Sequence, residues 1–377
     1  MKKLGLYIHI PFCKRKCHYC DFISFSGKQE LIEKYVCSLK KEINAYKTNK
    51  EDYLIETIYF GGGTPSYIES KYIIDILQEL KQKFTVSEDA EITIEINPGT
   101  VDEQKLKEYY NSGINRISFG LQSTKSELLK LVGRIHSYLD FLENYNIARE
   151  IGFKNINIDL MIGLPVQTLE DVEKDLERII ELKPEHISVY SLIIEEGTNI
   201  EQKISNKELY LPSEELERKM YWKVKNTLEE KDYKHYEISN FAKPGYESKH
   251  NLSCWNQEEY IGFGLAAHSY IDNKRFSNTE NLQQYIVGAD DPVRPKTIHE
   301  IQTKEDQMKE YMLLSLRKTE GVKISEFKNK FVDNPIYLYR ESLNKLVVQE
   351  LIEIDVDSIK LTDKGIDLAN IVWEEFV

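Results

Sequence analysis

The sequence predicts an α/β fold: a partial (β/α)6 TIM-type barrel, then a smaller α+β C-terminal region ending in a winged-helix-like unit. Three observations predict it. Short strands alternate with helical segments up to about residue 190, five of those strands are polar on one face and aliphatic on the other, and the pattern changes near residue 300. Strand–helix repeats of this length imply parallel strands joined by right-handed crossovers.

Strands are expected at 4–10, 55–60, 90–97, 115–120, 155–161 and 186–191, with helices at about 28–47, 70–83, 102–112, 125–151 and 168–182. In the third strand Ile92, Ile94 and Ile96 share one face, while Glu91, Thr93, Glu95 and Asn97 share the other. Arg116 and Ser118 oppose Ile117 and Phe119; Asn157 and Asp159 oppose Ile156, Ile158 and Leu160. His186, Ser188 and Tyr190 oppose Ile187 and Val189, and Tyr7 and His9 oppose Leu6, Ile8 and Ile10. Amphipathic helices must cover one face of a parallel sheet, and they take the aliphatic one. The polar faces then line the interior. A complete barrel fills its lumen with branched apolar side chains. A six-unit barrel with a polar lumen is open and holds a ligand, with functional groups at the C-terminal ends of its strands.

Residues 1–190 form the expected barrel, 191–300 a mixed α/β extension that closes it, and 301–377 the winged-helix-like unit. The extension carries a helix at about 213–231, a strand at 233–238 and a loop H-N-L-S-C-W at 250–255. The last unit has helices at 304–317 and about 336–350, then two short strands. Glu341, Glu350 and Asp363 interrupt its basic residues, which favours docking or covering over nucleic-acid binding.

The whole chain agrees. Fifty Lys and Arg against 63 Asp and Glu leave a net charge of -13, unsuited to broad binding of nucleic acid or anionic membrane. No apolar run approaches the ~20 residues of a membrane span. The opening M-K-K-L-G-L-Y-I-H-I-P-F-C is interrupted, as a signal peptide would not be, by His9, Pro11 and close-set cysteines. A cytoplasmic protein is the expectation.

Of five cysteines, Cys13, Cys17 and Cys20 fall in one C-x3-C-x2-C segment. An odd, clustered set is no disulfide framework and points to a metal or a cluster. A cubane iron–sulfur cluster ordinarily takes four thiolates, so three would leave one iron open to an outside ligand. Zinc, with His18 as fourth ligand, is the alternative, though no second pair of ligands follows. Cys37 falls in the apolar stripe of a helix and reads as a core residue.

The segment Y-I-H-I-P-F-C-K-R-K-C-H-Y-C-D-F (7–22) resembles the radical S-adenosylmethionine (SAM) superfamily, in the branch of coproporphyrinogen dehydrogenases and HemW proteins. The likeness continues through G-G-G-T-P-S (61–66), I-E-I-N-P (94–98), R-I-S-F-G-L-Q-S (116–123) and G-R-I-H (133–136). It extends to I-D-L-M-I-G-L-P (158–165) and H-N-L-S-C-W (250–255). The resemblance implies a [4Fe-4S] cluster on Cys13, Cys17 and Cys20, its open iron chelated by SAM. It implies SAM contacts from Gly61, Gly62, Gly63 and Thr64, from Glu95 to the ribose, and from Gln122, Arg134 and Asp159. Tyr7 and Tyr19 would pack near the cluster and adenosine, and Ile193 and His268 would contact the cofactor. A tight turn at the glycines, and an ion-pair network among the buried charges, are the structural alternatives.

Coproporphyrinogen dehydrogenases resemble this chain but usually carry a fourth cysteine, C-x3-C-x2-C-x-C, and a longer N-terminal arm. Here Asp21 and Phe22 follow Cys20, and six residues precede Tyr7. Both features match HemW, a haem-binding relative regarded as a haem chaperone. Its H-N-x-x-Y-W pattern is present as His250, Asn251 and Trp255, with Cys254 in place of the tyrosine. His250 and Cys254 are therefore the candidate haem ligands, against a role for His250 in ordering its loop. The implied partners are a haem-accepting protein and an electron donor such as flavodoxin or ferredoxin, for a monomer or homodimer. The alternative function is that of an oxygen-independent coproporphyrinogen III oxidase.

Overall fold

The structure, a computed structural model, describes residues 1–288 and 296–377. Residues 289–295, within the expected closing extension, lie outside the described residues. Six strands succeed one another in space as in sequence: β1 (Lys2–Ile10), β2 (Tyr53–Gly62), β3 (Thr85–Ile96), β4 (Arg116–Gln122), β5 (Ile156–Ile162) and β6 (His186–Ser191). Each pairs in parallel with the next. The connecting helices are α1 (Ile32–Ala45), α2 (Ser70–Lys83), α3 (Glu103–Ser112), α4 (Ser126–Leu131), α5 (Tyr138–Ile151) and α6 (Leu169–Glu181).

The expected split between faces is what builds the core. Ile73, Ile76, Leu77 and Leu80 of α2 and Tyr35, Val36, Leu39 and Ile43 of α1 recur at helical spacing and are buried in one apolar cluster. The same cluster holds Ile92, Ile94, Ile96, Ile117, Phe119, Ile156 and Ile158 from the strands. Burying one such aliphatic side chain contributes roughly 1.5–3 kcal/mol.

Two helices replace the single one expected at 125–151. The break at Gly133 (φ 81°) takes a left-handed turn that glycine tolerates. Ser137 then starts α5 with a capping box, its hydroxyl accepting from the Asp140 N–H while the Asp140 carboxylate accepts from the Ser137 N–H. Helical periodicity on both sides hides this interruption. Its consequence is that Arg134 turns into the lumen. Cys37 also departs from expectation: it is exposed, because the buried stripe of α1 runs through Val36 and Leu39 instead.

Beyond β6 lie α7 (Asn199–Ser205), α8 (Glu214–Glu229), β7 (Lys234–Glu237) and β8 (Asn240–Ala242). There follow α9 (Lys249–Trp255), β9 (Tyr260–Phe263), β10 (His268–Ile271), β11 (Lys274–Ser277), α10 (Leu282–Val287) and β12 (Thr297–Ile301). β8 and β7 extend the sheet antiparallel past β6, while β9 joins β1 in parallel at the other edge. The segment H-N-L-S-C-W is thus helix α9 rather than a loop. Its start is held by Ser248, whose hydroxyl accepts from the Asn251 N–H, and by Glu91 of β3. The Glu91 carboxylate accepts from the Lys249 and His250 N–H groups, each at 3.1 Å. A carboxylate 158 positions away fixes this short helix, which is why local sequence does not reveal it.

From α11 (Lys304–Ser315) onward a second apolar cluster forms around Met312, Leu316, Phe327, Leu346 and Ile359, with its own three-stranded sheet. The helix expected at 336–350 is two pieces, Pro335–Leu338 and Arg340–Val348. Trp255 of α9 meets this region through Arg317, whose guanidinium lies 4.4 Å from the Trp255 ring centre and 5.1 Å from that of Trp373.

Candidate functional site

The polar inner faces of the strands surround a cavity of about 520 Å3, within the range of small organic ligands. Its rungs follow the strand register: Glu95 lies opposite Ser118 and Ser118 opposite Asn157, and one step on Gly120 lies opposite Asp159 and Asp159 opposite Ser188.

The loop after β1 supplies one wall. Its ends are joined by the Cys13 N–H to the Phe25 carbonyl (2.9 Å) and the Phe25 N–H to the Pro11 carbonyl (2.7 Å). Its middle is tied down by the His18 N–H to the Val132 carbonyl at 3.0 Å. Cys13, Cys17 and Cys20 all line the cavity. The Thr64 hydroxyl donates to Cys13 Sγ and Arg134 Nη1 to Cys17 Sγ, both at 3.5 Å. Asn97 joins these two: its Nδ2 donates to Thr64 Oγ1 at 2.8 Å, and its Oδ1 accepts from Arg134 Nη2 at 2.6 Å. Side chains from the loops after β2 and β3 and from the turn between α4 and α5 thus bracket the thiols. Burial pushes the Cys20 thiol up to about 11 and raises that of Cys13.

A mononuclear zinc site fits this arrangement poorly. Among the described residues no group of three or more His, Cys, Asp or Glu side chains is gathered to hold a metal ion. His18 is not among the cavity's lining residues, and its Nδ1 meets the Leu131 carbonyl at 3.0 Å. A cubane iron–sulfur cluster takes thiolate ligands, and the three cysteines that line the cavity come from one loop.

Across from the cysteines, Glu95 accepts from the Tyr59 hydroxyl at 3.0 Å. Burial, with Asp159 nearby, lifts its carboxyl to about 7. Burial also raises Asp159, against hydrogen bonds from Asn157 (2.6 Å) and Ser118 (3.3 Å). Gln122, at the end of β4 beyond a bulge, has φ 72° and accepts from the Tyr190 hydroxyl at 2.7 Å. A non-glycine residue held there at a cavity wall is the kind of local strain that accompanies function. The glycines leave no room for side chains: a Cβ on Gly62 would stand 2.5 Å from the His9 ring, and one on Gly61 3.1 Å from Glu95.

Residues 7–179 match the Radical SAM superfamily, and 302–368 match the HemN C-terminal domain. The Heme chaperone HemW of Lactococcus lactis is 38% identical over 376 residues, covering 100% of this chain and 98% of that protein. The protein of the same name in Bacillus subtilis is 39% identical, covering 98% of each. The chain belongs to the HemW family of radical SAM proteins. The solved coproporphyrinogen III oxidase HemN from Escherichia coli, a radical SAM enzyme, superposes with a TM-score of 0.86 at 25% identity, covering 100% of this chain and 90% of that one.

Of the residues that the HemW-family resemblance nominates, Cys13, Cys17, Cys20, Tyr19, Gly62, Gly63, Thr64, Glu95, Gln122, Arg134, Asp159 and Ile193 line the one cavity. Ile193 and Phe22 both line it and are well exposed. Tyr7 lies just behind, its hydroxyl 3.1 Å from His9 Nδ1 and its ring stacked on Tyr59. His268 is exposed outside the cavity lining and stacks on His299. Neither His250 nor Cys254 lines the cavity. The His250 ring stacks on Tyr59 with Nδ1 2.9 Å from Thr57 Oγ1, and burial lowers it to about 4. Burial raises the Cys254 thiol to about 11.

Sequence reasoning missed Tyr59, although Thr57 and Tyr59 against Ile58 and Phe60 repeat the same alternation on β2. It also gave no role to Asn97 or to Asn251, which faces the cavity from α9.

Proposed function

We propose that this chain is a haem chaperone: it holds a [4Fe-4S] cluster on Cys13, Cys17 and Cys20, SAM beside it, and haem for delivery to an acceptor protein. The observation that carries the reading is the full-length likeness to proteins named heme chaperone, combined with three thiols on one wall of the lumen. The residues present fit both cofactors. Gly62 and Gly63 bring backbone to the cavity wall in a turn too tight for any Cβ, and the buried Arg134 Nε has no partner among the described residues. When bound and reduced, the cluster would supply one electron to the sulfonium of SAM. The chain's own part is to hold and orient. Glu95, once ionised, accepts from the ribose hydroxyls; Gln122 and Asp159 meet the nucleoside; Thr64, Asn97 and Arg134 fix the thiols. Tyr7 and Tyr19 pack about the pair and Ile193 covers the mouth. The electron donor is a flavodoxin or ferredoxin, and the setting is the cytoplasm.

Haem ligation by His250 or Cys254 would require the imidazole to leave Thr57 and Tyr59, or the thiol to leave its buried site. An unchanged haem spectrum in His250→Ala removes that residue as a ligand. The second reading, coproporphyrinogen III oxidation, is favoured by the likeness to the Escherichia coli oxidase. Anaerobically reconstituted protein separates the two. It is mixed with haem, and separately with coproporphyrinogen III, SAM and a reductant. Stoichiometric haem binding without protoporphyrinogen supports the chaperone; substrate-dependent protoporphyrinogen overturns it as the whole account.

A further inference from the structure

The lumen continues past the nucleoside contacts to a floor where several polar groups have no partner. Arg116 opens β4, two rungs below Gly120, and is 2% exposed. It lines the cavity, yet its guanidinium makes no hydrogen bond among the described residues, and its Nε is fully buried without a partner. Its nearest carboxylate oxygen, on Glu91, is 3.9 Å from Nε. Three carboxylates lie nearby, but each is met by neutral donors: Glu91 by the start of α9, Glu95 by Tyr59, and Asp159 by Asn157 and Ser118. The fork of Arg116 is not consumed by any of them.

Around it are more unpaired groups. Thr93, cross-strand from Arg116, is buried with its hydroxyl unpartnered. Asn240 Oδ1 is buried and unpartnered, and Asn240 lines the same cavity. The side-chain amide of Asn251 lines it too and makes no hydrogen bond among the described residues. Buried polar groups are almost always satisfied, so a guanidinium, an amide and a carbonyl left open in one cavity lining mark a place for a polar ligand. The Arg fork matches a carboxylate in geometry and charge.

We propose that the lumen floor is a carboxylate-binding subsite, with Arg116 as the anion's partner and Asn251 as an adjacent amide contact. The carboxylate comes from a tetrapyrrole side chain or from a free small acid. The inference goes beyond the chaperone reading, and its small-acid arm stands whether or not haem is delivered.

The test titrates the full-length reconstituted protein with sodium propionate, with haem and with haem dimethyl ester. It uses the natural chain, Arg116→Gln and Asn251→Ala. Carboxylate-dependent binding is expected, as propionate binding or as preference for haem over its ester. It should fall at least about tenfold in Arg116→Gln and less in Asn251→Ala, with SAM affinity unchanged. An effect on propionate identifies a free acid; an effect confined to haem over its ester identifies the tetrapyrrole side chain. Absence of carboxylate-dependent binding in the natural chain overturns the proposal and leaves water as the occupant. So does binding that neither variant weakens, or an equal loss of SAM affinity, which would assign Arg116 to the nucleoside. Asn251, part-exposed and without a side-chain hydrogen bond among the described residues, keeps the test readable should Arg116→Gln fail to fold.

Discussion

The two faces of β3 differ by one residue of register and by almost everything else. Ile92, Ile94 and Ile96 pack into a continuous apolar cluster with the helices. Glu91 and Thr93 are shut away just as thoroughly from bulk water and Glu95 is half-buried, but all three lie among other polar groups. Burying such groups is unfavourable unless they find partners. The outer face therefore carries stability, while the inner face holds polar groups, among them the unpartnered Thr93 hydroxyl.

The largest expected effect falls on the inner side. Cys17→Ser should abolish the visible absorption of the reconstituted cluster, and survival of that band would remove Cys17 from its ligands. On the outer side Ile94→Ala should lower unfolding free energy by about 2–5 kcal/mol in urea titrations, because the side chain is wholly buried. A loss of SAM binding at unchanged stability would instead break the division between faces. Glu95→Gln should do the reverse. It should weaken SAM binding about tenfold, by removing a charged acceptor, while leaving the urea midpoint nearly unmoved.

The same residue gives a pH signature. Burial and Asp159 hold Glu95 at about 7, above the usual carboxylate range. If the ionised form accepts from the ribose hydroxyls as proposed, SAM affinity should fall as pH drops through 7. In Glu95→Gln that slope should vanish; a slope that persists assigns it to another group. Smallest is Cys37→Ser, expected to change stability by no more than about 0.5 kcal/mol because the residue is exposed. A larger loss would restore the buried position that the helical stripe suggests.

The alternation along the strands was enough to foresee a polar lumen, because the period-two pattern is local and helices must cover the other face. The family resemblance carried by the cysteine segment and the strand-end motifs nominates twelve residues that line the cavity. What stayed hidden depends on distant contacts. Gly133 breaks a periodic helix so that Arg134 can enter the lumen, and Glu91 creates α9 from far along the chain. The contacts of His250 with Thr57 and Tyr59 are hidden too, because those partners belong to β2. Trp255 gains its place only through Arg317 and Trp373 of the C-terminal region. Arg116 was visible as a lumen residue, but nothing local shows that it lacks a partner.

The central claim is an open cubane on three thiolates. Metal and acid-labile sulfide analysis of protein purified without oxygen tests it most directly. The account predicts about four irons and four sulfides per chain, lost together in Cys17→Ser. One zinc per chain with no sulfide would contradict it.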